Sequence, residues 1–373
     1  MVPSSAYSPA KVSKKTIGVG IVGTGFGTSV LLPAFQSFDA VQVVGVASRS
    51  KEQSEEMARK YSLMQTFESW KELVSCPDIQ AVCIATPPSV RKEIIMAALS
   101  NGKAVFSEKP LAMDASEAEE LLHAAKKAGV VHMVDFEFRE IPAFASLRQL
   151  LQDGEAGSLR HAEILWSTGG WSDPMRSWSW QADQKQGGGT LTALGIHACD
   201  YIQWFFGPIA RVSATSGISV PKRPDREGNM KDVTAEDHFQ CIMELSSGAH
   251  VTLTISQVAP RGTGHRIAVH GSDVTALVES HSVHYAKGFT MRVAKRGEME
   301  FQVCELGVFA REVDEHPDSR IPVCQRLCEK FLDAVRDGRT DASPSFLDGL
   351  RAQRVLDAIR LSCREKKWID ISS

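Results

Sequence analysis

An apolar run that ends in closely spaced glycines constrains this chain more than any other feature. Residues 16–28 read Thr-Ile-Gly-Val-Gly-Ile-Val-Gly-Thr-Gly-Phe-Gly-Thr, a strand pattern followed by a turn and a helix-compatible stretch. Gly23 suits the tight turn, and Gly25 lets the backbone approach a pyrophosphate at the helix N-terminus, where N–H groups lack partners. The pattern predicts the first half of a dinucleotide-binding βαβ unit, with a tight turn of some other α/β protein as the alternative.

Two positions depart from the ideal dinucleotide-binding pattern. Thr28 stands where the third glycine of G-x-G-x-x-G is expected, and Pro33 falls early in the following helix. The third glycine normally allows the helix to pack closely on the sheet. The turn alone is therefore weak evidence.

Composition excludes several classes of protein. The 373 residues are 43% hydrophobic, and the net charge is −3. A chain of this length and hydrophobic content can form one or two packed cores. It has no excess of basic residues that would indicate nucleic-acid binding, and no apolar run long enough to span a membrane. Residues 1–15 lack an apolar signal segment, so we expect a disordered lead-in and a cytoplasmic protein. The eight cysteines form no C-x-x-C pair, and we expect buried thiols and no metal site.

The pattern of predicted strands and helices changes near Phe138. Before it, short apolar strands alternate with helices of about ten to fifteen residues, which predicts a parallel sheet with helices on both faces. After it, longer strand candidates are joined by turn signals, which predicts a large, mainly antiparallel open sheet with helices on one face. We expect a Rossmann domain at 16–137 and a second domain at 138–373, whose last helices can pack back on the first.

Residues that directly follow the strands of a parallel sheet are the candidates for ligand binding. Ser48 and Arg49 follow the second strand, where NAD sites usually carry an acidic residue for the ribose 2′-hydroxyl. A hydroxyl beside an arginine suits a 2′-phosphate instead, so we favour NADP(H) over NAD(H). Alternatively, Arg49 is a solvated residue that stacks on adenine, which is compatible with either cofactor.

Two further strand ends complete the predicted cofactor site. Thr86 and Pro87 begin a rigid turn that could support the nicotinamide ribose. Lys109 follows a buried strand and precedes a proline, which places it where a nicotinamide ring would end. A lysine there can exchange a proton with a substrate hydroxyl, although a lysine at a strand end is more often a surface residue.

A distant segment supplies a partner for that lysine. Three glycines at 187–189 open a helix on which His197 and Asp200 share a face at i, i+3. A lone helical histidine is usually a packed or surface residue. The glycine entry and the acid one turn later make a catalytic role competitive.

In these segments the sequence resembles the Gfo/Idh/MocA oxidoreductase family over nearly the whole chain after Lys15. The matching segments, in chain order, are Gly23-Thr-Gly-Phe-Gly27, Thr86-Pro-Pro88, Glu108-Lys109-Pro110, Arg139-x-x-Pro142, Gly187-Gly-Gly-Thr-Leu191, Gly195-x-His197-x-x-Asp200 and Thr234-Ala-Glu-Asp237. The resemblance implies a Rossmann domain, a C-terminal domain with an open sheet, and NAD(P)-dependent hydride transfer on sugars, inositols or related polyols.

The resemblance also implies roles for individual residues. Lys109 is the proton-relay lysine, and His197 orients or deprotonates the substrate hydroxyl. The cofactor-binding residues are then Gly23, Gly25, Phe26, Gly27, Ser48, Arg49, Thr86, Pro87, Glu108 and Lys109, and the substrate-binding residues include Glu137 and Asp200.

The family often has an aspartate four residues before the histidine, where this chain has Ala193, so the Lys–Asp–His trio is incomplete unless Asp200 compensates. Arg91, where members often have histidine, is expected to be peripheral.

Four of the seven tryptophans fall between residues 166 and 180. Flat indole faces suit the apolar side of a sugar ring, and Arg176 could bind hydroxyl groups. We expect at most one sugar-stacking tryptophan, with Trp178 and Trp180 as the candidates. The alternative is that the rings anchor a long loop over the sheet.

The hypothesis from sequence is a dehydrogenase or reductase of a small sugar or polyol. One rival is an NAD-dependent glycosidase of the same fold with no net redox change, and another is a non-catalytic cofactor-binding protein. An open sheet must cover its outer face, which predicts a homodimer or homotetramer through the C-terminal sheet.

Overall fold

The computed structural model describes residues 16–371, so the predicted disordered lead-in at 1–15 lies outside the described part of the chain. Two sheets organise the described residues, one of six strands and one of nine. No helix within 16–371 is long and apolar enough to cross a membrane.

The first sheet is the predicted parallel one. Its elements are β1 (Ile17–Val22), α1 (Leu32–Gln36), β2 (Val41–Ala47), α2 (Lys51–Tyr61), β3 (Gln65–Thr66), α3 (Trp70–Ser75), β4 (Ala81–Ile84), α4 (Arg91–Ser100), β5 (Ala104–Ser107), α5 (Ala115–Ala128) and β6 (His132–Val134). The strand order is β3-β2-β1-β4-β5-β6, with all pairs parallel. The order reverses between β1 and β4, and ligands of such sheets bind at that switch point.

Local sequence explains where these helices begin and end. The Asp114 side chain accepts a hydrogen bond from the Glu117 N–H and so caps α5, and Gly129, with φ of 64°, ends it. Ser50 caps α2 in the same way, through the Gln53 N–H. Caps of this kind satisfy N–H groups that would otherwise lack partners.

The second sheet is mainly antiparallel, as predicted. The remaining elements are α6 (Pro142–Gln152), β7 (Leu159–Ser167), α7 (Ile196–Phe206), β8 (Ile209–Gly217), β9 (Lys222–Pro224), β10 (Met230–Asp232), β11 (His238–Leu245), β12 (His250–Ser256), β13 (Gly264–Gly271), β14 (Val274–Ser280), β15 (Thr290–Lys295), β16 (Gln302–Cys304), α8 (Val308–Glu315), α9 (Arg320–Asp337), α10 (Phe346–Glu365) and β17 (Ile369–Asp370). The order is β16-β15-β14-β13-β7-β12-β11-β8-β17. Among these neighbours β7 and β12 alone are parallel.

One face of the large sheet is covered and the other is open. On β7, Ala162, Ile164 and Trp166 are buried, and the residues between them are exposed. This alternation follows from the two-residue period of a strand. The outer face carries exposed aliphatic side chains, including Leu165 and Ile242.

The C-terminal helices close over the first sheet. Helix α9 packs against α1, and α10 packs against α5 and β6. Phe331 of α9 lies 5.4 Å from Phe106 and 6.4 Å from Phe35, measured between ring centroids. Helix α9 therefore belongs to the same core as β1, whereas the buried residues of α10 belong to the core that includes the large sheet. The division into two domains near Phe138 stays a prediction.

Candidate active site

The turn after β1 contains glycines with two different functions. Gly23 has φ of +115°, and a Cβ atom there would lie 2.5 Å from the carbonyl oxygen of Ala85. Gly25 is exposed, and a Cβ atom there would meet no described heavy atom within 4 Å. The conformation and packing of the protein backbone therefore require glycine at position 23. At Gly25 the free space fits the close approach of a pyrophosphate.

The two departures from the glycine pattern have local explanations. A Cβ atom at Gly27 would lie 3.0 Å from the Cβ of Ala85, so Gly27 provides the close packing expected of a third glycine. The Thr28 hydroxyl donates a hydrogen bond to the Thr24 carbonyl at 2.6 Å. Pro33 is accommodated at the second position of α1, after a wide helical turn at Gly27–Leu31. The sequence Gly-Thr at 27–28 therefore preserves the fold of the turn.

Phe26 lies at the same turn, half-buried. The guanidinium group of Arg320, at the start of α9, lies 5.6 Å from the centroid of its ring. A C-terminal helix thus contacts the predicted cofactor turn directly.

The segment after β2 leaves Arg49 exposed. The Ser48 hydroxyl donates to the Ser50 carbonyl at 2.7 Å, and the Ser48 N–H donates to the Ser54 hydroxyl at 3.0 Å. These hydrogen bonds fix the backbone at the end of β2. The residues there, Ser48 and Arg49, are not acidic, and the Arg49 guanidinium group is exposed to solvent. This arrangement is compatible with a ribose 2′-phosphate.

Arg91 is not peripheral, contrary to the expectation from sequence. Its side chain is 2% exposed, and its guanidinium group donates to the carbonyl oxygens of Thr86, Glu108 and Pro110. Burial lowers the Arg91 pKa to about 10. The residue ties the turn after β4 to the turn after β5, so it holds together the two loops that carry the predicted nicotinamide site.

Lys109 is held by the backbone of a distant segment. Its Nζ atom donates a hydrogen bond to the carbonyl oxygen of Ala193 at 2.7 Å, and its N–H donates to Oε2 of Glu108 at 3.0 Å. Ala193 lies in a wide helical turn, Leu191–Gly195, that leads directly into α7. The structure therefore brings Lys109 to the helix that carries His197.

That helix is approached through glycines with a defined structure. Gly189 has φ of +107°, and a Cβ atom there would lie 2.2 Å from Oε1 of Glu236. The same oxygen accepts a hydrogen bond from the Leu191 N–H at 2.9 Å. A Cβ atom at Gly187 would lie 3.0 Å from Pro88. The glycines thus allow a carboxylate to cap the helix and allow the segment to pack on the turn after β4.

Buried acids lie beside the lysine. Asp135 follows β6, is fully buried, and has no hydrogen-bond donor on either carboxyl oxygen among the described residues. Burial, then the nearby Glu108 and Glu137 carboxyl groups, raise the pKa of Asp135 well above its usual range.

His197 faces Glu137. Nδ1 of His197 and Oε2 of Glu137 are 3.7 Å apart, and neither atom has a hydrogen-bond partner among the described residues. The hydroxyl of Tyr285 donates to Oε1 of Glu137 at 3.0 Å. Both Glu137 oxygens are enclosed and its side chain is 2% exposed, and its role in substrate binding stays a prediction.

Asp200 is paired with Arg139 in the structure, and its role as a substrate ligand stays a prediction. Its two carboxylate oxygens accept hydrogen bonds from Nε and Nη2 of Arg139, at 2.9 and 2.5 Å. Arg139 also donates to Asp348 of α10 at 3.0 Å. The pair is buried and joins α7 to the segment after β6 and to α10.

The tryptophan loop is anchored on the hairpin β9–β10. The indole N–H of Trp178 donates to the Asp232 carbonyl at 3.1 Å, and Nζ of Lys231 lies 5.3 Å from the ring centroid. Arg176 donates to the Gly170 carbonyl and to Oε1 of Gln181. For Trp178 and Arg176 the structure supports the anchoring alternative, because their polar groups are already used. Sugar stacking by Trp180 stays a prediction.

Asp135, Arg91 and Tyr285 were missed or undervalued from sequence, and Glu137 was expected only as a substrate-binding residue. Asp135 and Glu137 alternate with aromatic residues directly after β6, and two acids in such an apolar segment are a usable signal. Arg91 gave no signal, because its partners are backbone carbonyls. Tyr285 lies 148 positions from Glu137, in a segment without regular structure.

Comparison with protein families accounts for both halves of the chain. Residues 17–136 match the model of the oxidoreductase family with the NAD-binding Rossmann fold, named GFO_IDH_MocA. Residues 144–277 match the model of the GFO/IDH/MocA C-terminal domain. The two matches leave residues 137–143, with Glu137 and Glu140, between them.

Individual relatives cover nearly the full length. An uncharacterized oxidoreductase of Synechocystis is 31% identical over 360 residues, which are 95% of each chain. Levoglucosan dehydrogenase of Pseudarthrobacter phenanthrenivorans is 25% identical and covers 96% of this chain and 98% of its own. The crystal structure of an oxidoreductase domain protein from Kribbella flavida superposes with a TM-score of 0.86 at 27% identity, over 96% of this chain and 100% of that one.

Proposed function

This chain belongs to the Gfo/Idh/MocA family of NAD-binding oxidoreductases, and from that premise we propose that it transfers a hydride between nicotinamide and a carbinol or carbonyl carbon of a sugar, inositol or related polyol. The observation that carries the proposal is the hydrogen bond from Lys109 to Ala193. It brings the lysine after β5, at the switch-point edge of the first sheet, to the helix of His197. A relative named levoglucosan dehydrogenase supports a sugar-like substrate.

When bound, the nicotinamide accepts or supplies the hydride at its C4 atom. The chain supplies the proton chemistry. An ammonium group has three N–H donors, and the Ala193 carbonyl uses one of those on Lys109, so the remaining donors can meet a substrate oxygen. During reduction the Lys109 ammonium group gives one of these protons to the substrate oxygen, and during oxidation the neutral amine receives the hydroxyl proton. His197 orients the same oxygen.

The end of β2 supports NADP(H) as the preferred cofactor. Ser48 and the exposed Arg49 stand where an acidic side chain would repel a 2′-phosphate and would bind a 2′-hydroxyl. Substituting Arg49→Asp should weaken NADPH binding and spare NADH binding. Equal or stronger NADH binding by the wild-type protein would overturn the preference.

The test combines cofactor binding with turnover. Fluorescence titrations with NADPH and NADH give the preferred cofactor, and absorbance at the nicotinamide band follows its oxidation or reduction with a panel of aldoses, inositols and other polyols. Net cofactor turnover with one of them is the expected result. Hydrolysis of a glycoside without net cofactor change would instead indicate a glycosidase, and binding without turnover across the panel would indicate a cofactor-binding protein.

We further propose that two or four copies associate through the outer face of the large sheet. Leu165 of β7 and Ile242 of β11 are 40% and 45% exposed there. A contiguous sheet face with exposed aliphatic groups is typical of an interface. Light scattering after size-exclusion chromatography tests this. Leu165→Glu should dissociate the assembly, and a wild-type protein that elutes as a monomer would contradict the proposal.

A further inference from the structure

The carboxylate that the family resemblance places on the histidine helix is missing at Ala193. Asp200, the nearest acid on α7, is occupied by Arg139 through both oxygens. His197 is nevertheless 3% exposed, and its Nδ1 atom lacks a partner among the described residues. A buried polar atom without a partner destabilises the folded state. Another group must therefore serve Nδ1 in the working enzyme.

Glu137 is that group by geometry. Its Oε2 atom lies 3.7 Å from Nδ1 and is itself without a partner, whereas its Oε1 atom accepts the hydrogen bond from Tyr285. The ring of Phe138 lies 4.6 Å from the ring of His197 and 5.3 Å from the ring of Tyr285. The carboxyl and imidazole groups are thus held on one packed aromatic cluster, and an approach of less than an ångström brings them into contact.

We propose that Glu137 is the positioning residue of His197: the protonated Oε2 atom donates to Nδ1, which fixes the Nε2–H tautomer and directs that N–H at the substrate oxygen. No net proton moves in this arrangement, since each group keeps the one proton it carries when neutral. Oε1 is then the carbonyl oxygen of the acid, which matches the hydrogen bond from Tyr285. The part of this inference that concerns the substrate rests on the proposed function.

The surroundings favour the neutral form of both groups. Burial, followed by the Glu108 charge, raises the Glu137 pKa to about 8. Burial, followed by the Lys109 charge, lowers the His197 pKa well below its usual value. The titratable groups that face the pair are Glu108, Lys109, Asp135, His265 and Tyr285. Above about pH 8 Glu137 ionises, and the proton of the imidazole should then move from Nε2 to Nδ1.

Nitrogen NMR of histidine-labelled protein tests the inference without cofactor or substrate. The His197 signals are assigned from the His197→Asn variant. In the wild type we expect an Nε2–H imidazole at pH 7 that switches toward Nδ1–H with a midpoint near pH 8. In Glu137→Gln the amide also donates to Nδ1, so the Nε2–H form should persist across the range. The inference would be overturned if the His197 nitrogen chemical shifts of the wild type did not change with pH. It would also be overturned if Glu137→Gln showed the same change of tautomer as the wild type.

Glu140→Gln is the matched control. Glu140 lies in the same short helical turn, Glu137–Glu140, and binds Lys330 instead of His197. It should show the wild-type switch.

Kinetics with a substrate found in the panel give a second readout. Glu137→Gln should lose the change of rate near pH 8 that the wild type shows, and Glu137→Leu should have a kcat about tenfold or more below that of Glu137→Gln. Thermal unfolding shows whether Glu137→Leu folds. Because the NMR result needs no turnover, an inactive panel with a normal switch would count against the proposed function alone, and turnover without the switch would count against this inference alone.

Discussion

The Nζ atom of Lys109 and the backbone carbonyl of Ala193 are joined by a hydrogen bond of 2.7 Å between residues 84 positions apart. The family often carries an aspartate at the position of Ala193. Because the acceptor here is a backbone atom, the lysine is held in place whatever side chain position 193 carries. The missing carboxylate therefore does not by itself displace Lys109 from the predicted reaction centre.

Replacing that lysine should separate catalysis from binding. Lys109→Met is expected to lower kcat at least about a hundredfold, the usual size of a general acid–base contribution, with cofactor affinity changed much less. Steady-state rates and fluorescence titrations measure the two effects. Lys103→Met is the control, because Lys103 lies just before β5 and its Nζ donates to the Cys76 and Ile79 carbonyls. Near wild-type turnover in Lys109→Met would refute the role of the lysine.

The two glycines of the cofactor turn should respond differently to the same substitution. Gly25→Val has free space in the protein, so we expect a wild-type melting temperature and a loss of NAD(P)H binding. Gly23→Val combines a positive φ with a clash against Ala85, so we expect a lower melting temperature. Thermal scans with and without cofactor measure both. Normal cofactor binding by Gly25→Val would show that the phosphates lie elsewhere.

Loss of Arg91 should destabilise the two loops that it joins. Arg91→Met leaves three carbonyl oxygens without their donor, and the free energy of unfolding should fall by roughly 2–5 kcal/mol. Urea denaturation measures this change. Lys92→Met is the matched control, since Lys92 is a neighbouring surface residue paired with Glu120, and its effect should stay within about 0.5 kcal/mol. Equal stability of the two variants would show that the Arg91 contacts contribute little.

Stability should fall in mild acid because His132 is buried in its neutral form. Burial lowers its pKa to about 4, and its Nδ1 atom accepts from the Phe346 N–H at 3.3 Å. The unfolded chain binds the proton below its pKa of about 6.5, whereas the folded chain does so only below about 4. The stabilisation is therefore present above pH 6.5 and is lost as the pH falls toward 4, by about 3 kcal/mol.

Denaturation at several pH values checks this. His132→Asn retains an acceptor for Phe346 and should flatten the slope between pH 6.5 and 4. His123→Asn, at an exposed histidine of α5, should leave the slope unchanged. An unchanged slope in His132→Asn would assign the acid sensitivity to another group.

Features that depend on neighbouring residues could be predicted from the sequence, whereas contacts between distant residues could not. Strand periodicity and turn signals predicted the parallel and the mainly antiparallel sheet, because these preferences act within a few positions. The strand-end rule selected Lys109 and the glycine entry selected the helix of His197. The pairing of Asp200 with Arg139 was not predicted, because the two residues are 61 positions apart and nothing local reveals the pair. The edge strand β17 was missed, because its two residues form a strand only by pairing with β8.

The parallel and antiparallel halves, the glycine turn, and the candidates Lys109 and His197 can all be predicted from the amino-acid sequence. These predictions use periodicity, backbone preference and position at strand ends, which are properties of short segments. Folding is needed to show that a backbone carbonyl holds Lys109, that Arg91 joins two loops, and that Glu137 rather than Asp200 faces His197. Such contacts join residues far apart in the chain, and burial decides which polar atoms still need a partner.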